Sequence, residues 1–188
     1  MINLSNSLKE IEHSPDKSGY IEKSSKKAYL LDDSNGIFSL LAFQHKGCLK
    51  IVDYIKCPNN DFSKVFLIEL TDLQDDMREC IECEALMQIK SSDIRKYIKT
   101  LDKNGLKIAQ KKLWMETVEE IKGKWMGSIA AVERLLRINQ EANHAIYHLM
   151  IVLKNNTDPK DLDLFRVELN NKLSGMTGKI HILTTSQL

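Results

Sequence analysis

The spacing of apolar residues changes period twice along the chain. Residues 3–12 put Leu4, Leu8 and Ile11 on one helical face, which predicts a short helix ended by Ser14, Pro15 and Gly19. Segments 27–31 and 37–43 read as strands about a turn that closes with Asn35-Gly36, a strong hairpin signal. Segments 48–56 and 64–71 read as two more strands around Cys57-Pro58-Asn59-Asn60, completing an antiparallel meander. From Leu73 the spacing turns helical through Met87, resumes at Ile94, Tyr97 and Leu101, and meets a stop at Asn104-Gly105. Residues 106–138 form a long helical segment in which Gly123 and Gly127 are weak points. A strongly apolar strand comes next at 145–154. Asp158-Pro159 then opens a helix with Leu162, Phe165, Leu169 and Leu173 on one face, and Gly175 and Gly178 end it before a last strand at 179–185. This order defines a single α+β (mixed α/β) domain with a central antiparallel or mixed sheet and flanking helices.

One strand breaks its own pattern. In KVFLIELTDL, residues 64–73, Glu69 interrupts an apolar run and shares a face with Val65, Leu67 and Thr71. A carboxylate in such company is costly unless something pairs with it. The preceding strand carries a second acid, Asp53, on the face of Leu49, Ile51 and Ile55. If these strands are neighbours, facing positions sum to about 120, and Asp53 lies across from a residue near 67–69. Two carboxylates that close require a shared proton, a basic side chain or a metal, and hard divalent cations favour oxygen pairs.

The segment LKIVDYIKCPNNDFSKVFLIELTDL resembles the hairpin of restriction-endonuclease-like PD-(D/E)xK nucleases, with an Asp on one strand and a Glu-x-Lys on the next. The resemblance implies a nuclease-like core at about 1–100 and 145–188, elaborated by the helical segment at 106–138. It also implies that Asp53 and Glu69 hold Mg²⁺, with Glu12 as a further acid, for metal-dependent cleavage of DNA or RNA phosphodiesters. The chain departs from the family where its lysine belongs, because that position is Thr71. Members with a relocated lysine point to Lys50, Lys56 or Lys90 as replacements. Thr71 favours a weak or degenerate relative serving as a binding or scaffolding subunit, with a working Mg²⁺-dependent nuclease and a purely structural interaction subunit as the alternatives. Analogy with the family extends the degenerate reading to an ATPase-containing complex in bacterial restriction or anti-phage defence.

Charge and composition adjust this picture without replacing it. A net charge of +1 argues against a protein that coats nucleic acid. The charges are segregated, however: 61–84 carries eight acids against two bases, and 90–112 eight bases against two acids. No run of 18 apolar residues spans a membrane, the N-terminal residues do not read as a secretory signal, and four cysteines suggest a reducing cytoplasm. Zinc is disfavoured because Cys80 and Cys83, with Cys48 and Cys57, lack finger or ribbon spacing. His144 and His148 read as surface or packing residues. Trp114 and Trp125 read as core or as anchors for a protein partner, a second copy or another subunit. The chain lacks the phosphate-loop and serine-hydrolase signatures.

Overall fold

A computed structural model describes residues 2–15, 19–43, 49–73, 103–141, 144–173, 175 and 178–188. The described residues form a mixed α+β fold around a six-stranded sheet whose spatial order matches the chain order: β1 (Leu8–Glu12), β2 (Lys23–Leu30), β3 (Tyr54–Lys56), β4 (Lys64–Thr71), β5 (Ile146–Leu153) and β6 (Ile180–Thr184). Neighbours from β1 to β4 run antiparallel, and β4, β5 and β6 run parallel. Parallel neighbours need crossovers. The long helix α2 (Lys103–Asn139) lies between β4 and β5, and α3 (Pro159–Leu173) between β5 and β6. No described helix is long and apolar enough to cross a membrane.

Strand alternation divides the sheet into two faces. On β4 and β5, Val65, Leu67, Leu149, Ile151 and Leu153 enter the main core with Trp125, Val132 and Leu135 of α2 and Phe165 and Leu169 of α3. Ile68 and Val152 turn to the other face and join a smaller cluster with Ile11, Ala28 and Tyr54. Trp125 is buried edge-on to Tyr147, which places that tryptophan in the core.

Four local expectations are corrected. Residues 8–12 form β1, preceded by a 3₁₀ turn at Ser5–Ser7, so Glu12 ends a strand rather than riding on a first helix. Ile11 is the buried residue of that strand, and one inward side chain in five suits an edge strand as well as a helix. Residues Ile37–Leu40 form a short helix, α1, instead of the second arm of a hairpin. A Cβ at Gly36 would come within 2.6 Å of the Leu31 carbonyl oxygen, so the chain doubles back too tightly there for a ladder to start. β3 is only three residues long, because the segment before it is held by α2 instead of by a neighbouring strand. Asn104-Gly105 lies within α2 and does not end a helix, while Gly127 admits another segment to it. The helix expected from Leu73 to Leu101 falls, beyond Leu73, outside the described residues.

Candidate active site where β3, β4 and the long helix meet

Register brings the two acids together. Tyr54 pairs with Ile68 and Ile55 with Leu67, and Asp53, the residue just before β3, lies near enough to Glu69 to act on its charge. Asp53 is fixed on both sides. Its carboxylate accepts a hydrogen bond from the Leu70 N–H at 2.8 Å, and its carbonyl accepts the Leu31 N–H at 2.7 Å. Glu69 is only 3% exposed and faces the main core between Leu67 and Thr71.

The partner of Glu69 comes from α2. Lys124 Nζ lies 2.5 Å from Glu69 Oε1 and 3.5 Å from Glu120 Oε1. Glu69 Oε2 has no hydrogen-bond partner among the described residues. Burial pushes the Glu69 pKa up to about 8, Asp53 adds to the rise, and Lys124 opposes it. Asp53 is raised too, first by burial, against the pull of the Leu70 N–H and Lys124. Burial works against the charge on Lys124, but Glu69, Asp53 and Glu120 outweigh it and hold its pKa above the usual range. Asp32, on the loop after β2, is also raised, first by burial, with Lys124 opposing. Three carboxylates with raised pKa values therefore sense one ammonium.

Two small residues of α2 lock this geometry. A Cβ at Gly127 would lie 2.0 Å from the Lys50 carbonyl oxygen, so only glycine lets the chain before Asp53 rest against the helix. The Ser128 hydroxyl donates to the Lys124 carbonyl at 2.6 Å and accepts the Val52 N–H at 2.8 Å. One buried hydroxyl thus ties the turn that carries Lys124 to the residue before Asp53.

The donor set fits a hard divalent cation. It offers carboxylate oxygens only, one of them buried without a partner, and an excess of acid over base. Mg²⁺ is commonly held by one or two carboxylates with water and substrate oxygens completing the shell. Among the described residues no three His, Cys, Asp or Glu side chains converge as a ready metal cage, so Asp53 and Glu69 would hold such an ion as a pair.

The remaining sequence candidates are spread out. Glu12 is exposed on the rim of a groove of about 1030 Å³ that Asp53, Asp72 and Lys154 also line and Glu69 does not. Lys50 lines a separate hollow beside Lys124, Lys56 sits on β3, and Lys90 lies outside the described residues. Thr71 is buried on the Glu69 face. Cys57 is buried, with its thiol pushed up to about 12 by burial, and Cys48, Cys80 and Cys83 lie outside the described residues. His148 stacks on Phe66 with ring centroids 5.1 Å apart, while His144 is exposed.

Lys124 is the residue that sequence reasoning missed. Its signal was present: Ile121, Lys124, Ser128, Ala131 and Leu135 recur at three- and four-residue steps, so a lysine occupies a position on the buried seam of α2. Family models, curated proteins and solved structures yield no match to this chain. What the structure supplies is a mixed sheet with an acid just before β3, a buried acid near the end of β4, and a lysine brought to the buried acid by the crossover helix.

Proposed function

We propose that the protein is a metal-dependent phosphodiesterase of the PD-(D/E)xK type, acting on nucleic acid, in which Lys124 stands in for the lysine absent at Thr71. The observation that carries this reading is the contact of Lys124 with Glu69, with Asp53 near enough to act on the same carboxyl, while Glu69 Oε2 has no partner among the described residues. Asp53 and Glu69 would hold Mg²⁺, which when bound supplies Lewis acidity toward a phosphoryl oxygen and lowers the pKa of water. The chain's own groups do the rest. The Leu70 N–H occupies one oxygen of Asp53 and fixes its direction. Glu69 and Lys124 together orient an attacking water, and the Lys124 ammonium offsets the negative charge that grows on phosphate. Packing of β4 against α2 excludes bulk water, which strengthens each of these interactions.

A second reading, a subunit that keeps the fold without cutting, is favoured by Thr71 and by the near-neutral net charge. In that case the chain is a partner in a larger nucleic-acid-processing or defence assembly. Cleavage assays with Mg²⁺ or Mn²⁺ separate the two. The first reading expects activity that Glu69→Ala and Lys124→Ala each abolish, with Mn²⁺ binding by calorimetry lost in Glu69→Ala. Binding and cleavage that survive both substitutions would overturn it, and a chain without cleavage whose assembly still works after Asp53→Ala would establish the second.

A further inference from the structure

Lys124 has a second neighbourhood. With Lys50 it lines a hollow of about 490 Å³ whose apolar wall is Phe38, Leu49 and Ile51. Asp32, Asp33 and Glu120 line the same space, so three acids stand against two lysines. An apolar wall with an excess of acid in the lining suits a second phosphate poorly and suits a flat, uncharged heterocycle well. The aromatic part is already assembled: Phe38 stacks on Phe43 at 4.7 Å and 17°, and Arg134 lies 4.7 Å from the Phe43 ring. A base laid against Phe38 would extend this stack without ordering new side chains. Because Lys124 touches Glu69 and also lines the hollow, a nucleotide whose phosphate meets the carboxylates has this hollow within reach of its base.

Resting on the proposed phosphodiesterase reading, we infer that the hollow receives one unstacked nucleobase beside the scissile phosphate. A base stacked and paired in continuous duplex cannot enter it. The substrate is therefore single-stranded nucleic acid, or a frayed or flapped end, in preference to uninterrupted duplex. Stacking on aromatic side chains tolerates any base, so the preference is for strandedness over sequence.

The test is fluorescence anisotropy with labelled oligonucleotides, with Ca²⁺ replacing Mg²⁺ to suppress cleavage. Expected are tighter binding of single strands than of blunt duplex, and a loss of about 10- to 100-fold in Phe38→Ala, in line with the measured worth of one base stack. Phe38→Trp, which keeps a stacking surface, should restore binding and shows that any loss is not misfolding. An oligonucleotide series with one abasic site moved along the strand should include a position that weakens wild type but not Phe38→Ala. Equal binding of duplex and single strand, or no abasic position that matters, would overturn the inference while leaving the phosphodiesterase reading intact if Lys124→Ala still abolishes cleavage. Failure of wild type to bind either form would overturn both.

Discussion

Two lysine–carboxylate pairs sit at the same end of the sheet and differ in what surrounds them. Lys154 and Asp72 come directly after the paired residues Leu153 and Thr71, and their side chains meet at 2.6 Å. Lys124 and Glu69 meet at a similar 2.5 Å, but across a helix–sheet interface. The Asp72 side chain keeps 21% of its surface and borders a wide groove, whereas that of Glu69 keeps 4%. Glu69 senses the charge of Asp53, Asp32 and Glu120 add further negative charge around Lys124, and Glu69 Oε2 has no hydrogen-bond partner among the described residues. Contact length therefore does not separate a structural pair from a chemical one. What nominates the second pair for the proposed chemistry is the burial of Glu69, with Asp53 adding to the rise in its pKa.

The largest expected effect separates these pairs by function. Lys124→Ala should lower metal-dependent cleavage by about 10²–10³ or more, whereas Lys154→Ala should leave it nearly unchanged in steady-state assays on folded protein. An equal loss in both variants would erase the distinction.

Next comes pH. The Glu69 pKa is raised from 4.5 to about 8 in the fold, so the folded protein binds this proton more tightly than the unfolded chain does. The contribution of Glu69 to stability is therefore full below pH 4.5 and is lost as pH rises through about 8. Urea midpoints should fall between about pH 5 and pH 8 in wild type, and Glu69→Gln should flatten that fall. Cation binding must displace the same proton, so Mn²⁺ affinity should climb over the same window. A fall of equal size in Glu69→Gln would assign it to other groups.

Smaller effects test the joint between α2 and Asp53. Gly127→Ala should cost about 1–3 kcal/mol through overpacking against Lys50, and Ser128→Ala about 1 kcal/mol through its lost hydrogen bonds. Both should also weaken Mn²⁺ binding, which a purely structural joint would leave alone. The smallest effect is expected at Glu12, where Glu12→Ala on an exposed strand end should change stability by no more than about 0.5 kcal/mol and leave cleavage intact.

Range decides how much of this was legible in the sequence. The nearness of Asp53 and Glu69 could be counted, because strand pairing across a short connection fixes the register of β3 and β4 by arithmetic. The strands at β4, β5 and β6 and the helix α3 announced themselves through continuous apolar runs and a proline start. The first strand did not, since Leu4, Leu8 and Ile11 fit either period. The region of 37–43 misled because Asn35-Gly36 signals a turn but not the kind of element that the turn leads into. Lys124 was hidden for a different reason. It lies 55 residues from Glu69, and no local pattern states which strand a helix will cover. Only the phase of its neighbours, read as a buried seam, could have nominated it.

The crossover has a consequence for the chain while it is being made. β4 ends at Thr71, and the strand that covers its far edge begins at Ile146, 75 residues later. At about 5–20 residues per second, that edge of a growing chain stays open for roughly 4–15 s. An apolar strand with a bare edge is a template for joining other chains. Glu69 is the charged interruption in that strand, and an unpaired carboxylate is poorly tolerated in a stack of like strands. On this argument a charge at 69 should hinder joining at the open edge. Ribosome-stalled chains ending before residue 146 should accordingly remain dispersed with Glu69 and pellet with Glu69→Val.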